Sequence, residues 1–286
     1  MTGLPWRRSW LVAAIGAVVL ASPAAAQQRP LVTEDPEPIG SGRLLIESGV
    51  DNLRDAEYPV SGLEGNLWRV PTFGLSFGLS AIAELQIDGG FYDRLAVKTF
   101  ASAPLSNAVT FTGTTTHDWE DTIVATKVRI FPEGASHPSF GVRFATKLPN
   151  AENETGLGLD TTDFYATILA AKTMQSVRLV GNLGIGILGD PTDGQRQNDV
   201  VTYGVSFARA LTDETEVVGE FTGRVSTRKK PPFPGTETRG LLKLGGRFTH
   251  GSLRLDGAVF VGTTSVDPTV GFTGGFTYIF NAFNIP

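Results

Sequence analysis

Twelve residues near the carboxyl end, Thr269-Val-Gly-Phe-Thr-Gly-Gly-Phe-Thr-Tyr-Ile-Phe280, alternate without interruption. Val270, Phe272, Phe276, Tyr278 and Phe280 share one face with Gly274, while the other face is mostly Thr and Gly. A period of two means an extended strand with one apolar and one small polar side. Strands of soluble sandwiches run about five or six residues. A strand twice that length calls for an apolar medium thicker than a protein core.

The pattern recurs along the chain. Leu253, Leu255, Val259 and Val261 oppose Ser252, Arg254 and Asp256; Leu242, Leu244 and Phe248 oppose Arg239, Lys243 and Arg247. Val217, Phe221 and Val225 oppose Glu216, Glu220 and Arg224. Residues 200–211 and 176–188 alternate likewise, the latter with Arg178 and Asn182 on its polar side. Six more strands are expected at 162–173, 138–148, 119–131, 80–91, 67–77 and 42–51. Connections alternate between long (53–66, 92–117, 149–161, 190–198, 228–236) and short (78–79, 132–137, 174–175, 212–214, 250–251), with a brief one near 264–267. Alternating long outer loops and short periplasmic turns belong to outer-membrane barrels. Lipid cannot hydrogen-bond a free strand edge, so the sheet must close. The sequence therefore predicts an all-β fold, an antiparallel up-and-down transmembrane β-barrel of about 12 strands over 42–280, with a tail at 281–286. A two-residue His250-Gly251 turn would pair Arg247 with Arg254 and Phe248 with Leu253.

The amino terminus reads as a targeting segment. Arg7 and Arg8 precede an apolar run, Trp10 to Leu20, and then Ala24-Ala-Ala26. A basic start, a short apolar stretch and an A-x-A site predict a signal peptide over 1–26, cleaved after Ala26 and directing the chain to the bacterial outer membrane. The apolar run is shorter than the roughly 20 residues a helical span needs. Residues 27–41 are then expected as a periplasmic N-terminal segment. Removing two arginines leaves 22 basic and 29 acidic residues, a net charge of −7. That balance argues against nucleic acid as a partner. With no cysteine, thiolate metal sites and Cys nucleophiles are excluded.

Few residues offer chemistry. Gly184-Ile-Gly-Ile-Leu-Gly189 matches G-x-G-x-x-G, but Asp190-Pro-Thr-Asp-Gly follows where a nucleotide site needs a helix. His117, His137 and His250 fall at strand ends or turns, and Ser139 near His137 has no evident substrate pocket; barrel-embedded hydrolysis is the minor alternative. Asp190, Asp193 and Asp199 are carboxylates of an outer loop, with solvation as the ordinary reading and Ca²⁺ as the alternative. Arg228-Lys-Lys230, in another outer loop, faces either solvent or lipopolysaccharide phosphates. No catalytic, cofactor or metal residue is assigned.

The positions expected to line the pore are Asp88, Asp121, Arg143, Lys147, Asp163, Arg178, Glu216, Glu220, Arg224, Arg239, Lys243, Arg247, Arg254 and Asp256. Level matching across strands places Glu216 beside Arg247, Glu220 beside Lys243, and Arg224 beside Arg239 at the outer mouth. There Asp88, Asp121 and Asp163 would face the two arginines, with ordinary solvated rim charges as the plain reading and a transverse field as the alternative.

Four stretches carry a family resemblance: Leu159-Asp-Thr-Thr-Asp-Phe164, Val180-Gly-Asn-Leu-Gly184, Val217-Val-Gly-Glu-Phe-Thr-Gly-Arg224 and Phe276-Thr-Tyr-Ile-Phe280. With the overall plan they resemble bacterial outer-membrane transporters of the phenol-degradation (MetA-pathway) type. The resemblance implies a channel for small molecules, aromatic or apolar ones among them, set in outer-membrane lipid and lipopolysaccharide. Such barrels end on an aromatic read by the barrel-assembly machinery. Here Phe280 or Phe283 would serve, since the chain continues to Pro286. The competing class is a structural or adhesive barrel with its lumen filled by side chains.

Overall fold

The structure, a computed structural model, describes residues 29–228 and 232–284. The expected signal peptide lies outside the described residues, as do Lys229 and Lys230. Fourteen strands form one antiparallel sheet. In chain order they are β1 (Arg43–Tyr58), β2 (Leu63–Gly78), β3 (Ala83–Gly90), β4 (Asp93–Phe100), β5 (Thr115–Asp118), β6 (Ile123–Phe131) and β7 (Ser139–Lys147). Then come β8 (Asp163–Met174), β9 (Val177–Gly189), β10 (Gln197–Ala210), β11 (Thr215–Ser226), β12 (Arg239–His250), β13 (Leu253–Gly262) and β14 (Val270–Asn281).

Twelve of these close a ring: β1, β2, β3 and then β6 to β14 in sequence. The seam pairs β1 with β14 from Arg43↔Asn281 to Arg54↔Val270, so no edge is left for lipid to meet. Each of the twelve coincides with an alternating segment of the sequence. Two expected loops are strand instead. β1 continues to Tyr58 and β2 begins at Leu63, while β4 and β5 occupy part of 92–117. β2 pairs with β3 through 72–78 and with β4 through 63–69, making one wall taller than the rest. Register shifts between Gly49 and Asp51 and between Leu53 and Ala56 interrupt the period-two pattern there, which hides the extension from sequence reading. Ala56, Leu63, Leu67 and Leu95 give the tall wall its own apolar cluster, packed beneath Val109, Phe111 and Leu157 of the covering loops.

The two faces separate cleanly. Phe272, Phe276, Leu255, Val259, Leu244, Val205, Leu183 and Phe144 are all exposed on the outside. An apolar belt of that extent has no place in water. The inside buries charge: Glu84, Lys127, Glu220, Lys243, Arg247 and Arg254 are each at most 9% exposed. The short-turn end carries 79–82, 132–138, 175–176, 211–214 and 251–252, together with the start and finish of the barrel chain.

The β12–β13 hairpin departs from expectation by two residues. Its turn is Gly251-Ser252, so Arg247 pairs with Asp256, Phe248 with Leu255 and Leu244 with Val259. Gly251 has φ +59°, and it occupies the first central position, where a II′ turn wants glycine. A slip of two preserves every side chain's face. It also replaces an Arg–Arg rung with an Arg–Asp one.

The larger correction concerns the amino-terminal segment. Residues 29–40 do not extend into the periplasm but run inside the barrel. Leu31, Thr33, Glu34, Asp35 and Ile39 are all buried. The reason is chemical: the segment carries carboxylates and free backbone amides, and the polar lumen holds partners for both.

Candidate functional site

The luminal segment is tied to most of the wall. At its start Arg29 sits against Gly49 and Gly275, cross-strand partners whose missing side chains make the slot. A Cβ on Gly49 would lie 2.1 Å from Arg29 Nη2. Arg29 donates to Thr72 Oγ1 at 3.1 Å and Thr273 Oγ1 at 3.0 Å, and its Nε lies 3.5 Å from Asp256. The next turn of the path is held by backbone. Arg247 Nε donates to the Arg29 carbonyl at 2.8 Å, and Lys243 Nζ to the Pro30 carbonyl at 2.7 Å. Glu220 Oε1 accepts from the Val32 amide at 2.8 Å and also from the amide and hydroxyl of Thr33.

Glu34 is the centre of the arrangement. Asn182 reads its backbone in both directions, accepting from the Glu34 amide at 2.7 Å and donating to its carbonyl at 2.8 Å. The Glu34 carboxylate lies 3.3 Å from Lys127 and 3.0 Å from Arg143. Lys127 in turn reaches Glu84 at 3.0 Å, and Gln86 donates to Glu84 at 2.8 Å. Further on, Asp35 is gripped by Arg178, Glu37 by Arg129, and the Ile39 amide by Glu84 at 2.6 Å. At the turn end burial alone would raise the Glu133 carboxyl, but hydrogen bonds from Thr173, Lys172 and Arg178 outweigh it. Glu133 is therefore held below its ordinary range and keeps its charge beside Arg178.

The sequence-predicted pore positions divide between this clamp and the mouth above it. Arg143, Arg178, Glu220, Lys243, Arg247 and Asp256 all touch the luminal segment. Glu216 stands behind them, 3.7 Å from Arg247 and 3.8 Å from Arg254. The rungs Glu216↔Arg247, Glu220↔Lys243 and Arg224↔Arg239 pair as level matching places them. The acids of the far wall do not stand free. Asp88 lies 3.5 Å from Arg143, and Lys147 bridges Asp121 at 2.7 Å and Asp163 at 3.2 Å. Glu237, just before β12, supplies an acid 3.9 Å from Arg224 where none was expected. Local pairing of this kind weakens a transverse field.

Sequence reasoning missed Glu84, Gln86, Lys127 and Arg129, although the first two share the period-two face of Asp88. It also missed Arg29, Glu34, Asp35 and Glu37, because a segment without periodicity gives no sign of entering a lumen. The weaker candidates are engaged in local structure. Ser139 is fully buried and donates to the Ala171 carbonyl at 3.1 Å. His250 lies 2.7 Å from Glu214 at an exposed turn. Asp190 accepts from the amide and hydroxyl of Thr192, and Asp193 pairs with Arg196 at 3.1 Å. The glycines of 184–189 lie within β9.

Two cavities border the segment, and one more lies apart from it among the outer loops. One of about 490 Å³ lies above Val32, Thr33 and Glu34 and continues beside a second of about 330 Å³ among the outer loops. A third, of about 420 Å³, flanks Arg29 to Val32. Leu53 and Arg69 line all three. Cavities therefore remain beside the luminal segment and on its outer side.

Comparison with family models and with curated proteins finds no match. Among solved structures, the crystal structure of the COG4313 outer membrane channel from Pseudomonas putida F1 is similar over 86% of this chain and 98% of that one. Its TM-score is 0.61 at 10% sequence identity. The translocator domain of the autotransporter NalP from Neisseria meningitidis covers 84% of this chain and 88% of its own, with TM-score 0.44 at 12% identity. The chain shares the closed-barrel fold of the first of these.

Proposed function

We propose that this protein is an outer-membrane channel for small solutes, closed at rest by its own residues 29–40. The observation that carries this reading is the way the lumen is filled. A structural barrel fills its interior with side chains projecting from the strands. Here cavities of about 490 and 330 Å³ remain, and the block between them and the turn end is a separate strand of chain. That chain is held by hydrogen bonds and ion pairs, bonds that can be exchanged for water. The exposed apolar belt supports placement in lipid, and the expected signal peptide supports export. The fold of the COG4313 outer membrane channel agrees with both.

Liposome swelling is a direct test. Vesicles carrying the barrel without residues 27–40 should swell in isotonic small sugars much faster than vesicles carrying the barrel with them. Equal, background rates for both folded proteins would reject a channel and favour the structural alternative.

A further inference from the structure

The outer cavity has a composition that its closed-channel role does not explain. Its wall includes Leu53, Leu67, Leu157, Leu159 and Leu188, an apolar lining at the watery mouth of a barrel. Into the same space come Arg224 and Arg239, which stand directly opposite each other on β11 and β12. Like charges facing across a rung are unfavourable. Nothing nearby fully offsets the pair. Arg224 donates to the carbonyls of Glu237 at 3.0 Å and Gly235 at 2.7 Å, and Arg239 to the carbonyl of Glu57 at 2.9 Å.

The acids lining the two upper cavities are largely committed elsewhere. Asp163 serves Lys147 and the Gly189 amide. Asp267 accepts from the amides of Gly240 and Thr264 and from the Thr264 hydroxyl. Glu237 accepts from the Gly235 amide at 3.0 Å, leaving its other oxygen 3.9 Å from Arg224. Among the described residues no carboxylate lies within 4.0 Å of the Arg239 guanidinium, which therefore keeps donors turned to the cavity. Glu57 stands on the rim of the same space.

We propose that this vestibule binds a small amphipathic monocarboxylate, its head on the Arg224–Arg239 rung and its apolar body against the leucines. A guanidinium fork matches the planar carboxylate bidentately. The apolar wall disfavours inorganic anions, which bring no surface to bury. The luminal segment, with Val32, Thr33 and Glu34 lining the adjoining cavity, stops the ligand by occupying the space below. The site deepens the channel reading by naming the class of solute received at the mouth.

The test is calorimetric titration of the folded barrel, residues 27–286, with cyclohexanecarboxylate, cyclohexanecarboxamide and acetate. The carboxylate should bind saturably, one per barrel, with the amide and acetate at least tenfold weaker. Arg224→Gln with Arg239→Gln should bring the carboxylate down to the level of the amide, while gel mobility before and after heating confirms that the variant folds. The amide binding as well as the acid would overturn the proposal, as would undiminished acid binding to the double variant or no saturable binding at all. Should the double variant not fold, the comparison of acid and amide on the unaltered barrel decides alone. Binding does not depend on conduction. A barrel that conducts without preferring the acid overturns this site only. One that binds the acid but never conducts once residues 27–40 are removed overturns the channel reading only.

Discussion

Lys127 of β6 lies 3.3 Å from Glu34 and 3.0 Å from Glu84, so one buried ammonium holds the luminal segment and the barrel wall together. Lys127 is fully buried, and Glu84 with it. A charge in that position is tolerated only while its partners are present.

Lys127→Met should therefore be strongly destabilising, by about 3–5 kcal/mol, because it leaves the buried Glu84 without a cation and Glu34 with Arg143 alone. The midpoint of urea unfolding in detergent reports the loss. Adding Glu84→Gln to the same chain should recover much of it, since Glu34 keeps Arg143 and no buried carboxylate is then without a cation. A single variant as stable as the parent would show that the lumen is wetter than the burial of Lys127 implies.

Gly49 and Gly275 are expected to govern how the segment seats. Gly49→Val places branched carbon where the Arg29 guanidinium now lies. It should release the start of the segment. Because the same Cβ comes within 2.6 Å of the Gly274 carbonyl on the seam strand, gel mobility before and after heating has to confirm that the barrel still folds. Limited proteolysis reads the release: cleavage near residues 29–33 should accelerate in the variant. Unchanged cleavage would mean that Arg29 is not seated in this slot.

Strand register at the β12–β13 hairpin can be checked against the alternative that the sequence first suggests. The chain has no cysteine, so introduced pairs report cleanly. Leu244→Cys with Val259→Cys joins direct partners and should form a disulfide under mild oxidation. Leu242→Cys with Val259→Cys joins diagonal neighbours, which lie about 7–8 Å apart with Cβ atoms only somewhat closer, too far for the bond. Efficient coupling in the second pair would shift the hairpin by two residues.

The facing of β14 and its neighbours makes a further demand. Phe272 is exposed on the apolar belt, whereas Thr202 lines the luminal cavity. Phe276→Arg, on the same face and nearer the middle of β14, should impair insertion, at a cost of roughly 2–4 kcal/mol for a basic residue at the lipid face near the midplane. Thr202→Asp should insert with much smaller loss. Gel mobility before and after heating distinguishes the two, and equal damage would contradict the assigned faces.

The barrel was legible in the sequence because lipid imposes a simple rule on every strand. Thr269 to Phe280 alternates so regularly that face, length and neighbour follow from it. The rungs of β11 and β12 could be matched by level for the same reason. Legibility failed where that rule does not act. β1 and β2 rise past the membrane, where Leu63 and Leu67 pack against loops and no lipid enforces alternation. The hairpin turn was misplaced by one residue, and the register by two, because His250-Gly251 and Gly251-Ser252 both keep the faces consistent, and only the φ of Gly251 separates them. Residues 29–40 carried no period, and their carboxylates reveal a destination only once Lys127, Arg143 and Arg178 are seen converging from three strands.

The central claim is that residues 29–40 close an otherwise open lumen. Single-channel recording in planar bilayers tests it most directly, comparing the barrel with and without residues 27–40 and then adding a synthetic peptide of that sequence to the turn-end side. The account predicts small or absent steps for the full barrel, large discrete steps for the truncated one, and their concentration-dependent suppression by the peptide. A truncated barrel that folds yet stays silent, or one that conducts no better than the full barrel, would contradict it.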